Sequence, residues 1–382
     1  MRRVVTLVMV VSILAGCGIF GRDEEVSKDL KPSPLPGIED RIKVVERWSR
    51  DVGGADKKSF RLVPAVDDRA VYAAAPEGRI VAVDKQSGKP LWSKRVDAEI
   101  TGGVGLGEGL VIVGTIGGEV LAFNARDGGE EWKQKVSSEV LAPPGIGSGR
   151  AVVHAVDGRV FGLATTDGSQ AWTFREAVPS LSLRGSSTPM IAQGAAVIGF
   201  ASGKLVAVRL DNGRTLWDLT VAEPRGRNEV ERMVDIEGRP VLFGNVLYAA
   251  SFQGKLMAIG LRDRRILWAR DLSTYNDVSV DGDNVYVTDE GGNVLAIDRL
   301  TGTLLWRQEQ LKRRGLSAPA VLGDYVIIGD FEGYLHVLAK TDGRLQGRIK
   351  LSGGPVRAAP ISEQGTAYVV TQGGNLVAIT VP

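Results

Sequence analysis

The sequence predicts an all-β protein, an eight-bladed β-propeller of four-stranded antiparallel blades that an N-terminal strand closes by joining the last blade. Two observations lead to this prediction: a sixteen-residue segment recurs along the chain, and its copies start roughly forty residues apart. The clearest copy, 291–306, reads GGNVLAIDRLTGTLLW, with a Gly-Gly turn, an apolar strand, a Thr-Gly turn and a second strand. Such a period with short strands is typical of propeller blades.

Eight copies align on one turn glycine each, and two further strand-like runs precede each hairpin. The glycines are Gly78, Gly118, Gly158, Gly203, Gly254, Gly292, Gly333 and Gly374, with spacings of 40, 40, 45, 51, 38, 41 and 41 residues. The eighth copy, 373–380, stops after its first strand, whereas 44–50 resembles the missing final strand. The two ends of residues 41–382 are therefore predicted to share one blade, which leaves no free sheet edge there.

A tryptophan ends seven of these strands, counting the one at the N-terminus. The seventh copy has Gly347 at that position instead. A large flat side chain at a fixed place in each blade is predicted to pack between neighbouring blades.

The N-terminus has the features of a bacterial lipoprotein signal. Arg2 and Arg3 precede an apolar run, 4–14, that is too short to span a membrane, and 14–17 reads LAGC. This pattern resembles the lipobox, which predicts that residues 1–16 are removed and that Cys17, the single cysteine, is lipidated. An ordinary secretory signal that contains a cysteine is the alternative.

The segment that follows has a predicted role in anchoring. Residues 17–40 are polar and contain prolines, so we expect a lipidated cysteine followed by a flexible tether. In bacterial lipoproteins Asp after the cysteine favours the inner membrane. Gly18 therefore indicates a protein held in the outer membrane and facing the periplasm.

Charge and the rarer residue types exclude several function classes. Without Arg2 and Arg3 the chain has 45 basic and 45 acidic residues, so nothing indicates nucleic-acid binding. The two histidines, His154 and His336, lie in apolar strand-like runs, which argues against a zinc site or a histidine-based catalytic site. The acidic segment 281–284 falls where a hairpin turn is due and lacks the ligand spacing of a calcium loop.

Two consecutive repeats are longer than the rest, and functional residues are expected where the copies differ. The extra residues fall in the connections 175–189 and 218–240, which end at Pro189 and Pro240. Five residues before these prolines lie Arg184 and Asp235, in equivalent places on adjacent blades. Because such connections emerge on one face of a propeller, the two loops are predicted to be neighbours.

The composition of these loops indicates a protein-binding patch. Leu181 and Leu183 flank Arg184, and Glu237 follows Asp235, so apolar residues lie beside fixed charges. The alternative is a small core beneath the loop, with the two leucines tucked in and Arg184 paired with Asp235. The two interpretations are compatible.

The repeat pattern A-x-D-x-x-T-G-x-x-x-W resembles the blades of dehydrogenases that carry pyrroloquinoline quinone. Those enzymes often stack the quinone on a disulfide of adjacent cysteines and hold calcium beside it. The present chain has Cys17 alone and is much shorter. The resemblance therefore implies the blade architecture without the catalysis, and no cofactor or metal is expected.

A lipobox, a short tether, eight such blades, and the segments LSLRGSSTP and ERMVDIEGRP together resemble the BamB family, lipoprotein subunits of the machinery that folds β-barrels into the bacterial outer membrane. The resemblance implies a non-catalytic scaffold that binds the POTRA repeats of the BamA subunit, with unfolded outer membrane proteins as a further class of partner. The family's contact residues match Leu181, Leu183, Arg184 and Asp235, and Glu237 stands where Asp is usual. A quinone-dependent dehydrogenase and a propeller that binds envelope polymers are the alternatives.

Overall fold

The computed structural model describes residues 31–38, 41–54 and 60–382, so the predicted signal peptide and Cys17 lie outside the described residues. These residues form 32 strands arranged as eight four-stranded antiparallel sheets. The predicted eight-bladed propeller is confirmed.

Each blade runs from an inner strand to an outer strand in chain order. Blade 1 contains β2 (Ala65–Val66), β3 (Ala70–Ala74), β4 (Arg79–Asp84) and β5 (Pro90–Arg95); blade 2 contains β6 (Gly105–Gly107), β7 (Leu110–Gly114), β8 (Glu119–Asn124) and β9 (Glu130–Lys135). Blade 3 contains β10 (Gly145–Gly147), β11 (Arg150–His154), β12 (Arg159–Ala164) and β13 (Gln170–Arg175); blade 4 contains β14 (Met190–Ala192), β15 (Ala195–Gly199), β16 (Lys204–Arg209) and β17 (Thr215–Thr220).

The second half of the ring repeats this plan. Blade 5 contains β18 (Val241–Phe243), β19 (Val246–Ala250), β20 (Gly254–Gly260) and β21 (Ile266–Leu272); blade 6 contains β22 (Ser279–Val280), β23 (Asn284–Thr288), β24 (Val294–Asp298) and β25 (Leu304–Gln308). Blade 7 contains β26 (Ala320–Leu322), β27 (Tyr325–Gly329), β28 (Tyr334–Ala339) and β29 (Leu345–Lys350); blade 8 contains β30 (Ile361–Glu363), β31 (Thr366–Val370), β32 (Asn375–Thr380) and β1 (Val45–Asp51).

The N-terminal strand closes the ring, as the repeat count predicted. β1 pairs antiparallel with β32, from Val45 opposite Thr380 to Asp51 opposite Asn375. Blade 8 therefore takes one strand from the start of the propeller and three from its end. Because the chain runs from β1 directly into blade 1, this pairing ties the two ends of the propeller together.

The core lies between neighbouring blades. The middle strands are continuous buried apolar runs, as in Leu110–Gly114, because both faces of each sheet are covered by another blade. The outer strands instead alternate exposed polar residues with one buried tryptophan, as in Glu130–Lys135.

The tryptophans pack between blades, as predicted, and six of the seven are matched to a glycine of the next blade. The indole N–H of Trp92 donates to the carbonyl oxygen of Ala125 at 3.0 Å. Gly128 lies beneath the ring with φ of +73°, and a Cβ there would approach the ring to 2.8 Å. The same indole bond is made by Trp48, Trp92, Trp132, Trp172, Trp268 and Trp306. Trp217 lacks the matching glycine, because Arg264, with φ of +58°, occupies the glycine position of the next blade.

The strand that lacks a tryptophan is completed by the N-terminal segment. A Cβ on Gly347 would lie 2.9 Å from the carbonyl oxygen of Ile42. Ile42 and Val44 pack against the apolar cluster of blades 7 and 8. The chain just before β1 thus fills the space that a tryptophan fills in other blades.

The two faces of the ring carry different connections. One face carries the connections from each outer strand to the next inner strand. It also carries the turns between second and third strands, as the bridge between Ile100 in such a connection and Thr115 in such a turn shows. We call this the loop face. The remaining hairpin turns, such as 85–89 in blade 1, lie on the opposite face, which we call the turn face.

Candidate functional site

The two long connections meet on the loop face, which confirms the predicted neighbourhood. The hydroxyl of Ser180 donates to the Glu229 carboxylate at 2.9 Å, which joins the connection after blade 3 to the connection after blade 4. The Glu237 side chain lies so close to Gly185 that a Cβ there would collide with it. The two loops therefore form one continuous surface.

The outer part of this surface is apolar and open. Leu181 is 40% exposed and Val178 is 42% exposed on the first loop, and Val230 is 60% exposed on the second. Residues 223–232 are exposed along their whole length. Sequence reasoning identified Leu181 but missed Val178 and Val230, although an apolar residue in a long polar loop was a usable signal. Exposed apolar side chains ringed by charge are typical of protein-binding surfaces.

Arg184 stands on the rim of this surface. Its side chain is 65% exposed, and Nη2 lies 3.1 Å from Oε2 of Glu139, in the connection between blades 2 and 3. The alternative that Arg184 pairs with Asp235 is therefore wrong. An exposed ion pair of this kind contributes only about 0.2–1 kcal/mol, so a competing carboxylate could replace Glu139 at little cost.

Asp235 lies beneath the loop and not on the surface. The residue is only 2% exposed, and its carboxylate accepts hydrogen bonds from the backbone N–H groups of Leu183 and Ile236. Its Oδ2 atom has no hydrogen-bond partner. Burial, reinforced by the nearby Glu237, raises the pKa of Asp235 to about 8 despite those two hydrogen bonds. Asp235 therefore supports the backbone that presents Leu183.

Glu237 is the second carboxylate under the loops. Its Oε2 lies 4.0 Å from Nη1 of Arg61, and Arg61 also donates to the carbonyl oxygen of Tyr275 at 3.1 Å. Burial raises the pKa of Glu237, which Arg61 opposes and Asp277 reinforces. Glu237 thus links the first connection of the ring, which carries Arg61, to the long loops.

The loops border a cavity of about 690 Å³ at the centre of the loop face. Its lining includes Leu183, Arg184 and Glu237, together with Phe60, Tyr275 and Arg357 from other connections. The predicted site residues therefore separate into three positions: Leu181 outside, Leu183 and Arg184 on the cavity rim, and Asp235 and Glu237 beneath.

The residues predicted to be structural lie within the blades. His154 and His336 are buried in β11 and β28, and Nδ1 of His154 lies 3.2 Å from the carbonyl oxygen of Ser187. Asp281 accepts hydrogen bonds from the backbone of its own turn and pairs with Lys340 at 2.5 Å. Within residues 31–38, 41–54 and 60–382, no group of metal-ligating side chains comes together.

Comparison with known proteins decides the family. The family model described as outer membrane protein assembly factor BamB matches residues 45–102, 76–308 and 290–381. The chain belongs to the BamB family. A BamB of Pseudomonas aeruginosa is 49% identical over 95% of this chain and 96% of its own length. BamB of Escherichia coli is 36% identical over 97% of this chain and 96% of its own length.

Solved structures agree with this assignment. The crystal structure of BamB from Moraxella catarrhalis has a TM-score of 0.82 and 27% identity, and the match covers 88% of this chain and all of that one. A quinohemoprotein alcohol dehydrogenase from Pseudomonas putida has a TM-score of 0.69 at 15% identity, over 92% of this chain and 78% of that one. The second likeness is one of fold alone. In the part of this BamB-family chain that the structure describes, no helix has the length and apolar character needed to cross a bilayer.

Proposed function

We propose that the chain is a scaffold lipoprotein of the outer membrane β-barrel assembly complex and aids the folding and insertion of outer membrane proteins. Its relatives at 36–49% identity, matched over nearly their whole length, are named outer membrane protein assembly factors. The dehydrogenase likeness, at 15% identity, extends to the blades only. The chain therefore acts by binding and not by catalysis.

The observation that carries this proposal is the surface formed by the two long connections. It combines exposed apolar side chains with Arg184, a cation held only by an exposed ion pair. The partner is the BamA subunit, through its POTRA repeats. Leu181, Leu183 and Arg184 contact it, and a carboxylate of the partner replaces Glu139 on the guanidinium. Asp235 and Glu237 support the loops from below. Binding of unfolded outer membrane proteins remains a prediction.

The proposal is tested with two variants on the rim. Arg184→Glu should weaken the free energy of binding by about 2–5 kcal/mol, because the new carboxylate would face a carboxylate of the partner. Leu183→Ala should weaken binding through lost packing, since a few anchors carry most of an interface's energy. Co-purification with BamA and thermal melting are measured on the same preparations. Both variants should melt near the wild-type temperature.

A matched control separates a local effect from a change in net charge. Arg214→Glu makes the same substitution at an exposed position on the turn face of blade 4. It should leave BamA binding unchanged. Normal binding by folded Arg184→Glu, or equal loss in the control, would exclude this surface as the site.

The anchor is a separate part of the proposal. We infer that Cys17 carries the lipid that holds the protein in the outer membrane on the periplasmic side. Cys17→Ser should remain unlipidated and appear in the soluble periplasmic fraction. Incorporation of labelled palmitate into that variant would contradict the assignment.

A further inference from the structure

We propose that the outer edge of blade 7 is a docking surface for residues 31–38 and 41–44 of the same chain. We call these residues the strap. The strap brings the upstream chain to the loop face, which carries the two long connections. The consequence at the membrane rests on the proposed lipid anchor at Cys17, whereas the docking itself does not.

The path of the strap follows from its hydrogen bonds. β1 starts on the turn face, where Val45 pairs with Thr380 at the end of β32. Just upstream, the N–H groups of Arg41 and Ile42 donate to the carbonyl oxygen of Gln346, at 2.8 and 3.3 Å, near the start of β29. The strap therefore meets the outer edge of blade 7 at the turn face.

The other end of the strap lies on the loop face. Nη1 of Arg348 donates to the carbonyl oxygen of Pro36 at 2.8 Å. The N–H of Ser33 donates to the carbonyl oxygen of Lys312 at 3.0 Å, in the connection between blades 6 and 7. Residues 31–38 of the predicted flexible tether are thus bound along the blade, and that part of the tether expectation is corrected.

A buried arginine depends on the strap for one of its hydrogen bonds. Arg314 is 2% exposed, and its Nη1 donates to the carbonyl oxygen of Ser33 at 2.9 Å. Its Nε donates to Oδ2 of Asp330 at 2.8 Å, and Nη2 contacts Glu332. A buried guanidinium is costly unless its N–H groups are satisfied, so the strap completes an internal network.

The sequence of the strap suits this role. Residues 31–37 read KPSPLPG, with Pro32, Pro34 and Pro36 in alternation. Prolines favour an extended backbone and reduce the entropy lost on docking. They have no N–H to satisfy, and the segment binds through the N–H of Ser33 and two carbonyl oxygens. At the other end, Ile42 and Val44 fill the place beside Gly347 that lacks a tryptophan.

The strap changes the face from which the upstream chain leaves. Without it, the chain before β1 would depart from the turn face, opposite the two long connections. With it, the chain departs near Lys312 on the loop face. In a lipid-anchored protein, this exit starts the path to the anchor on the loop face, which favours an orientation with that face towards the membrane.

Hydrogen exchange of the mature full-length protein in detergent tests the docking. We expect the amides of Ser33, Arg41 and Ile42 to be protected. Arg348→Ala should speed exchange in peptides covering 31–44 by roughly tenfold while the blades keep wild-type protection. Arg344→Ala removes an exposed arginine of the same blade and should change nothing. Free exchange of 31–44 in the wild-type protein would overturn the proposal.

Energy transfer in vesicles tests the exit face. The lipidated protein carries a donor dye on a single added cysteine, either Arg227→Cys on the loop face or Arg262→Cys on the turn face of blade 5, and the acceptor is in the bilayer. Transfer should be stronger from position 227, and Arg348→Ala should reduce the difference. Equal transfer from both positions would overturn the orientation. Failure to bind vesicles would instead reject the anchor, while the exchange result stands.

Discussion

Two buried carboxylates on the loop face, Asp235 and Asp330, are in opposite chemical settings. Asp330 accepts from Arg314 and His336 at Oδ2 and from the backbone N–H groups of Glu332 and Tyr334 at Oδ1. Burial alone would raise its pKa, but the bonds from His336, Tyr334 and Arg314 hold that pKa below its ordinary value. Asp330 is therefore charged and fully paired.

Asp235 has no such compensation. It has hydrogen bonds from two backbone N–H groups, an unpaired Oδ2 atom, and Glu237 as its neighbouring charge. A carboxylate with hydrogen bonds to both oxygens fixes the geometry of its partners, as Asp330 does for Arg314 and, through it, the strap. An incompletely paired one costs stability, and such groups are concentrated at functional sites. The difference separates a structural charge cluster from one beneath a binding surface.

The largest expected effect comes from removing the cation of the paired cluster. Arg314→Ala leaves Asp330 buried without the guanidinium that pairs with it and frees Ser33 from the network. The loss in the free energy of unfolding should be about 3–5 kcal/mol, measured by denaturant unfolding. Arg344→Ala, on the same blade but exposed, should stay within about 0.5 kcal/mol of wild type. A small loss for Arg314→Ala would show that the cluster is not structural.

The second prediction compares the same substitution at the two carboxylates. Asp330→Asn should lower the free energy of unfolding by about 3 kcal/mol, because the new amide N–H₂ faces hydrogen-bond donors in either orientation of the side chain. Asp235→Asn can place its N–H₂ where Oδ2 has no partner, and it removes a group that the unfolded chain ionises, so it should be neutral to stabilising at pH 7. Chemical unfolding of both variants at that pH measures the difference. Equal losses would remove the distinction between the clusters.

The third prediction concerns pH. The raised pKa of Asp235 means that the folded state holds a proton that the unfolded chain releases above about 4. Stability from this group is present below that pH and is lost as pH rises towards about 8, at no more than about 1.4 kcal/mol per pH unit. Between pH 5 and pH 8 the melting temperature should therefore fall more steeply in wild type than in Asp235→Asn. Parallel curves would show that Asp235 titrates normally.

The smallest expected effect is at the exposed pair. Arg184→Ala should lower the free energy of unfolding by less than about 1 kcal/mol, since the guanidinium and Glu139 are both open to solvent. The same variant should nevertheless bind BamA measurably more weakly. A stability loss comparable to that of Arg314→Ala would place Arg184 in the structural class instead.

The architecture followed from the sequence alone because a propeller is built from local repeats. Each copy carries its own hairpin turn, alternating outer strand and tryptophan, so periodicity determines the blade and the copy count determines the ring. The partial last copy and the extra strand at 44–50 were sufficient to predict the closure that Val45 and Thr380 make. The longer spacings likewise located the two loops.

Only the tertiary structure decided how the site residues are placed. The sequence suggested that Asp235 lies beside Arg184. In the structure Asp235 is buried under Leu183, and Arg184 pairs with Glu139 of the neighbouring connection. The docking of the strap could not be predicted either, because a proline-rich polar segment has the composition of a tether whether or not a surface binds it. Each of these features depends on contacts between residues far apart in the chain, and such contacts leave no periodic pattern in the sequence.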